Sequence, residues 1–194
     1  ALAVVPEMAK PPSMRIEGYV IVSADGMLAD ANGVMPASLK FEADQRFFES
    51  ALDAADLIVH GRHSFEDQPR SPERTRIWVT QTVPAVSPDP ANPKATLWNP
   101  AGASFEDACR MSGVTDGIAA IIGGPVVFDM FLDRYDTFWL SQAHNLTIPG
   151  GMGGFPGVPQ QAPQDILAAH GLKPEETRVL DAAHRVDVTA WRRS

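Results

Sequence analysis

Cysteine is almost absent from this sequence, and acidic residues outnumber basic ones. The chain of 194 residues has one cysteine, Cys109, which excludes a disulfide within the chain and a zinc site built from several cysteines. Its 16 Lys and Arg against 24 Asp and Glu give a formal net charge of -8. Because binding to nucleic-acid phosphates requires a basic surface, we expect no nucleic-acid partner.

Long apolar runs are absent as well. No stretch approaches the roughly 18 residues that a membrane-spanning helix requires, so we expect no membrane partner. The opening stretch ALAVVPEMAKPP has no basic segment ahead of its short apolar part, which argues against a signal peptide. We interpret residues 1–13 as a flexible N-terminal arm and, from the lone cysteine, expect a cytoplasmic protein.

The histidines give no sign of a metal site. His60 and His63 lie close together in the sequence, but His60 should end a strand and no third ligand lies near them. We therefore expect no metal. Cys109 falls within a predicted helix, where a core position is the simpler interpretation.

What the sequence does contain is an alternation of β-branched apolar segments with amphipathic ones. Strands are predicted at 15–23, 56–61, 76–81, 95–98, 117–123, 136–144, 177–183 and 185–192. Helices are predicted at 42–55, 104–113, 125–133 and 162–171. This order predicts one α/β domain over residues 14–194, with a mixed, mostly parallel sheet of about eight strands. The final two strands should form an antiparallel edge, and the proline-rich stretch 82–93 a surface loop.

A glycine pair follows the strand at 117–123. Gly123 and Gly124 precede Pro125, a residue suited to the first turn of a helix. Ligands of open α/β sheets bind beyond the carboxyl ends of the strands, where bare glycines let a pyrophosphate approach the backbone. A tight strand-to-helix turn would also explain the pair.

Two more strand ends carry groups that bind anions. Gly61 ends the strand at 56–61, and Arg62 and Ser64 follow it with a guanidinium and a hydroxyl that suit a phosphate. Thr80 adds a hydroxyl near the end of the strand at 76–81. Three such ends indicate an anion site more strongly than any one of them does.

A carboxylate lies on the inward face of the helix predicted at 42–55. Asp44 shares that face with Phe48 and Leu52, where an acid is costly unless it is paired or used. It is therefore a candidate acid that orients or protonates a bound heterocycle. Capping of the helix start is the alternative.

A long loop follows the first strand. The stretch IVSADGMLADANGVMP is rich in Asp, Gly and Asn. A plain turn around Asp25 and Gly26 is one interpretation, and a lid over a site is the other.

Taken in order, these motifs resemble the dihydrofolate reductase-like superfamily over roughly residues 15–192. The segments that carry the resemblance are VSADGMLAD, IVHGRHSFE, RIWVT, IIGGPVVFDMFL and DTFWLSQAHNLTIPGGMGGFPG. The SADG opening resembles the riboflavin-pathway pyrimidine reductases, whereas GRHSFE and the placement of Asp44 look more like dihydrofolate reductase itself. The resemblance implies a single three-layer domain and an NADPH-dependent reductase that acts on a small heterocyclic substrate.

The resemblance also implies a role for each motif. Gly61, Arg62 and Ser64 match the segment that holds the adenine-side phosphates, and Thr80 lines the same groove. The pyrophosphate would lie at Gly123, Gly124, Pro125, Val126 and Val127. A substrate-binding loop beside the nicotinamide would comprise Ser23, Asp25 and Gly26. Asp44 matches the acid that contacts the pterin in dihydrofolate reductases, and is the catalytic candidate.

Departures from the family pattern keep alternatives open. The first loop reads VMPASL where dihydrofolate reductases usually have a tryptophan, and the chain lacks the zinc signature of a deaminase. We therefore favour a reductase resembling the riboflavin-pathway 5-amino-6-(5-phosphoribosylamino)uracil reductase. The alternatives are a dihydrofolate reductase-type enzyme, a nucleotide-binding homologue without catalysis, and a structural domain that binds no nucleotide. The two terminal strands could pair across a two-fold axis, so we expect a homodimer.

Overall fold

A computed structural model describes residues 14–61 and 70–194, which form eleven strands and four α-helices. The strands are β1 (Met14–Ser23), β2 (Met27–Ala29), β3 (Leu57–His60), β4 (Arg76–Val79), β5 (Val86–Asp89), β6 (Asn92–Trp98), β7 (Gly117–Ile121), β8 (Thr137–Ala143), β9 (Met152–Gly153), β10 (Leu172–Asp181) and β11 (Val186–Arg193). The helices are α1 (Glu42–Ala54), α2 (Phe105–Ser112), α3 (Pro125–Met130) and α4 (Pro163–Ala169). No helix in these ranges is long and apolar enough to cross a membrane. The predicted arm at 1–13 lies outside the described residues.

Nine of the strands form one mixed sheet in the order β10-β11-β8-β1-β7-β3-β4-β6-β5. The six central strands, from β8 to β6, are parallel to one another. The pairings of β10 with β11, β11 with β8 and β5 with β6 are antiparallel. The predicted sheet and its antiparallel C-terminal edge are therefore confirmed.

The prediction of a surface loop at 82–93 is wrong in part. Strand β5 forms within this stretch and pairs with β6 through a tight turn. The Asp89 carboxylate accepts a hydrogen bond from the Ala91 amide at 2.9 Å, and the Asn92 side chain accepts one from the Lys94 amide at 2.8 Å. Pro88 is tolerated because β5 is an edge strand, where a missing amide donor breaks no ladder.

Aspartates at the starts of two strands help to fix the parallel register. The Asp56 carboxylate, just before β3, accepts a hydrogen bond from the Ile118 amide of β7 at 2.8 Å. The Asp136 carboxylate, just before β8, accepts one from the Ile16 amide of β1 at 2.8 Å. Each aspartate therefore connects its own strand to a neighbour that is distant in sequence.

The helices cover both faces of the sheet and make three layers. On one face, α1 buries Leu52 against Ile58 and Ala120. On the other face, α2, α3 and α4 pack against the alternate residues of the same strands, such as Val59 and Ile121. Cys109 of α2 is buried there, as its sequence position predicted.

Candidate functional site

The carboxyl ends of β3 and β7 bring two of the predicted glycine motifs together. The Gly61 amide donates a hydrogen bond to the Gly123 carbonyl at 2.7 Å, and a cis peptide bond joins Gly123 to Gly124. A Cβ added at Gly61 would lie 3.4 Å from the Gly124 amide nitrogen and 3.2 Å from a methyl of Val127. The lack of a side chain at Gly61 therefore leaves a space beside Gly123 and Gly124, and we call these three glycines the glycine cradle.

Helix α3 leaves this cradle directly. Its first residue is Pro125, and the Phe128 amide donates to the Gly124 carbonyl at 2.9 Å. The side chain of Val126 is 68% exposed, whereas that of Val127 is buried in the core. Of the two valines predicted to contact a cofactor, only Val126 offers its side chain to a ligand at the surface.

Of the other three residues predicted to contact the cofactor phosphates, the structure describes one, Thr80. Arg62 and Ser64 lie outside the described residues, so their predicted role stays a prediction. Thr80 follows β4, where its hydroxyl lies 3.0 Å from that of Thr82 and its amide donates to the Trp98 carbonyl at 2.9 Å. Because β3 and β4 are parallel neighbours, Thr80 and Gly61 both lie at the carboxyl ends of their strands, on the same side of the sheet.

Asp44 lies in the first turn of α1 and is 7% exposed. The sequence placed it on the inward face of this helix, and the structure buries both Asp44 and Leu52 there. The helix is capped by Phe41 rather than by Asp44, so capping does not explain the acid. Burial raises the pKa of the Asp44 carboxyl to about 6, and a hydrogen bond with Ser141 opposes part of that rise.

Ser141 was missed by the sequence analysis. It is a buried polar residue of β8, and it pairs in register with Ile21 of β1. A serine at a buried position of this strand was the available signal, because such a hydroxyl needs a partner. That partner is the Asp44 carboxyl, supplied by a helix that is distant in sequence.

The loop that follows β1 is held by its own polar side chains. The Asp25 carboxylate accepts hydrogen bonds from the Ser23 hydroxyl and, at 3.0 Å, from the Ile148 amide. These bonds lower the pKa of Asp25 against the partial burial that would raise it. Gly26 has a φ of 86°, in the left-handed region that favours glycine, and its amide donates to the Ser23 carbonyl at 3.0 Å.

Asp25 therefore joins the first loop to the loop after β8. Its contact with substrate, and that of Ser23 and Gly26, stay predictions.

The glycine-rich tract at 150–157 lies against that same loop. Strand β9 within it pairs with β2, and the Gly154 amide donates to the Gly26 carbonyl at 3.0 Å. A Cβ at Gly153 would lie 2.5 Å from Val158, so close packing requires glycine there. Phe155 enters the core between Phe128 and Phe138. The tract thus contributes to the packing of the first loop.

Metal-binding clusters of three or more suitable side chains do not occur within 14–61 and 70–194. The buried His60 lies beside Gly61 at the carboxyl end of β3. Desolvation lowers the pKa of His60 to about 4, so the imidazole is neutral at physiological pH. Its ring stacks on that of Trp78 at 6.0 Å between centroids.

Comparison with known proteins yields matches among solved structures alone. No protein-family model and no curated protein matches the sequence. Dihydrofolate reductase from Enterococcus faecalis, complexed with NADP(H) and RAB-propyl, superposes with a TM-score of 0.64 at 19% identity, covering 95% of this chain and 99% of that one. A protein from Shewanella sp. PV-4 that is assigned to riboflavin biosynthesis gives 0.62 at 18% identity, covering 93% of this chain and 99% of that one.

A third similar structure belongs to a longer protein. It is the diaminohydroxyphosphoribosylaminopyrimidine deaminase/5-amino-6-(5-phosphoribosylamino)uracil reductase of Thermotoga maritima, with a TM-score of 0.58 at 14% identity. The match covers 95% of this chain and 57% of that one. The chain therefore has the dihydrofolate reductase-like fold, the fold that its motifs predicted. At these identities the likeness concerns the fold alone.

The site combines two parts at the carboxyl ends of the parallel strands. One part is a glycine-lined backbone cradle at β3 and β7, which suits a ligand that must approach the main chain closely. The other is the buried Asp44 carboxyl over β8, whose raised pKa lets it hold a proton near pH 6. Strand β1 lies between β7 and β8, so its carboxyl end separates the two parts.

Proposed function

We propose that this protein is an NADPH-dependent reductase of a small heterocyclic substrate, similar to the riboflavin-pathway pyrimidine reductases. The observation that carries the proposal is the buried, protonatable carboxyl of Asp44. It lies on the same carboxyl-terminal side of the sheet as the glycine cradle. A reductase needs a cofactor groove and a proton source near the bond that it reduces. The fold shared with an NADP(H)-complexed dihydrofolate reductase supports the choice of cofactor.

The residues present fit a dinucleotide. Because Gly61 has no side chain, a ligand could contact Gly123 and Gly124 in the space that a Cβ would otherwise occupy. Val126, which is exposed, and Thr80 would add further contacts to the cofactor. Arg62 and Ser64 would hold the 2′-phosphate, as their place in the family pattern implies. Pro125 supplies no amide donor, so the pyrophosphate would depend on the glycine backbone.

The reaction balances with one hydride and one proton. NADPH would supply the hydride, with its two electrons, to the carbon of a C=N or C=O bond. The nitrogen or oxygen of that bond would take a proton, and Asp44 would donate it or orient the ring that receives it. Ser141 positions the carboxyl by a hydrogen bond. Burial keeps the proton on Asp44 at a higher pH than in water.

The first experiment is a titration with NADPH and NADH, followed by tryptophan fluorescence. We expect micromolar NADPH binding and much weaker NADH binding if Arg62 and Ser64 hold the 2′-phosphate. Equal affinities would remove that assignment and leave the glycine cradle. Binding of neither cofactor would refute the reductase.

The second experiment addresses Asp44. Asp44→Asn should reduce turnover about 100-fold while the NADPH dissociation constant stays within about two-fold, because general acid catalysis contributes that much. Unchanged turnover would remove Asp44 from the mechanism. NADPH binding without oxidation, against both pyrimidine ketones and dihydrofolate, would favour the homologue without catalysis. Oxidation with dihydrofolate alone would favour the dihydrofolate reductase-type alternative.

We also propose a homodimer formed along β10. This edge strand is ten residues long and largely exposed, and Val179 within it is 70% exposed. Irregularities at Pro174/Glu176 and Val179/Asp181 interrupt its pairing with β11, so the regular run 176–179 is the part that would pair with a second copy. Val179→Arg should convert the dimer to a monomer in light-scattering measurements, while Val34→Arg, at another exposed valine, should not. A wild-type monomer would refute the dimer.

A further inference from the structure

The glycine cradle contains a backbone carbonyl that the neighbouring strand does not satisfy. Gly61 is buried, and its amide donates a hydrogen bond to the Gly123 carbonyl at 2.7 Å. A regular parallel ladder would continue with an amide of the β7 chain bonded to the Gly61 carbonyl. At that point the chain leaves the sheet, because Gly124 is the N-cap of α3. A buried carbonyl without a donor is unfavourable, so the Gly61 carbonyl needs a donor from elsewhere.

The side chain of His60 is that donor. Its Nδ1 lies 2.8 Å from the Gly61 carbonyl oxygen, and among residues 14–61 and 70–194 no backbone amide bonds to this oxygen. Because a carbonyl oxygen only accepts hydrogen bonds, Nδ1 must carry a proton. Desolvation lowers the pKa of His60 to about 4, so at pH 7 the imidazole is neutral and its one proton is on Nδ1.

The surroundings of the imidazole hold it in this orientation. His60 is 5% exposed at the end of β3, and its ring stacks on that of Trp78 in the adjacent β4, with 29° between the ring planes. Close packing on a neighbouring ring leaves a buried side chain little freedom. The donor is therefore fixed relative to the sheet, whereas Gly61 has no side chain that could restrict its own backbone torsions.

We propose that His60 is a positioning residue of the glycine cradle. Its Nδ1–H fixes the Gly61 carbonyl, and the Gly123 carbonyl fixes the Gly61 amide, so both peptide groups around Gly61 keep the orientation that leaves space for a ligand. Without the imidazole, the Gly61 carbonyl would rotate toward another donor, and an oxygen turned into the cradle would repel a pyrophosphate. This inference rests on the proposed function for the identity of that ligand.

The first test is nitrogen NMR of the isotope-labelled full chain without cofactor. At pH 7 the His60 ring should show a proton on Nδ1 and none on Nε2. Two substitutions then separate the hydrogen bond from burial: His60→Asn keeps an N–H donor close to the position of Nδ1, and His60→Leu keeps a branched side chain without a donor. Exchange of the Gly61 amide proton should be about ten-fold faster than wild type in His60→Leu, and within about two-fold of wild type in His60→Asn.

The second test is an NADPH titration of the same variants. His60→Leu should raise the dissociation constant about ten-fold, the equivalent of one hydrogen bond, and His60→Asn should stay within about two-fold of wild type. His184→Leu is the matched control, because that imidazole is exposed in the turn between β10 and β11. It should leave both the exchange of the Gly61 amide and the NADPH affinity unchanged.

Three results would overturn the proposal. They are a proton on Nε2 instead of Nδ1, equal exchange of the Gly61 amide in the two His60 variants, and equal NADPH affinity in these variants when the wild type binds NADPH. If the wild type binds no NADPH, the reductase is refuted, and the two NMR measurements still show whether His60 positions Gly61. Failure of this inference is therefore distinguishable from failure of the reductase.

Discussion

Replacing Asp44 by asparagine should stabilise the folded protein at neutral pH while it removes activity. Asp44 is 7% exposed, and desolvation raises the pKa of its carboxyl from 3.8 to about 6. Ionising it in the folded state is therefore unfavourable. Asparagine has nearly the same shape and can still accept a hydrogen bond from Ser141, but it never ionises.

The sign and size of the effect follow from the pKa. Between about pH 4 and pH 6 the folded protein retains a proton on Asp44 that the unfolded chain has lost, so the free energy of unfolding decreases as the pH rises through this window. A shift of roughly two units corresponds to about 3 kcal/mol once the pH is above 6. Asp44→Asn should recover that amount at pH 7, a gain of about 6–12 °C in Tm for a chain of this size.

The assay is urea denaturation of both proteins at several pH values. The difference in unfolding free energy should be close to zero below pH 4 and reach about 3 kcal/mol at pH 7. Glu42→Gln is the control, because that carboxylate is in the same helical turn but its side chain is 84% exposed. The reasoning is refuted if Asp44→Asn gives the same stability as wild type at pH 7, or if the difference does not depend on pH.

Three further predictions concern other parts of the chain. Gly61→Ala should weaken NADPH binding about ten-fold in the fluorescence titration, since its Cβ would occupy the cradle; unchanged affinity would place the cofactor elsewhere. Arg193→Ala should lower the free energy of unfolding by about 3 kcal/mol in urea, because the guanidinium donates to the carbonyls of Tyr135, His170 and Leu132. Arg192→Ala, which loses exposed ion pairs, should cost less than about 1 kcal/mol, and equal costs would contradict this account. Cys109 should not react with a thiol reagent at pH 8 until the protein is denatured, because burial raises the pKa of its thiol to about 11; rapid reaction of the native protein would contradict its burial.

Much of the architecture was predictable because its signals are local. The 3.6-residue periodicity of α1 placed Asp44 and Leu52 on one face, and both are buried. The helix predicted at 104–113 forms as α2, and a capping box of Ser104 and Asp107 begins it. Gly61 and Gly123 were predicted to lie at strand ends, and in the structure the Gly61 amide donates a hydrogen bond to the Gly123 carbonyl.

Other features depended on contacts that the sequence pattern does not encode. Composition indicated a loop at 82–93, and only pairing with β6 made part of it a strand. Asp25 stood in an ordinary turn motif, yet its carboxylate is bound by the amide of Ile148 from a distant loop. Propensity rules describe neighbours in sequence, and they cannot supply a partner strand or a distant donor.

The sequence by itself therefore determined the order of strands and helices, the inward face of α1 and the bare backbone at the strand ends, because periodicity and glycine act within a few residues. Tertiary structure alone decided that Ser141 contacts Asp44 and that burial raises the pKa of this acid. Desolvation arises from atoms brought together by the whole fold, so it is absent from any short stretch of the chain.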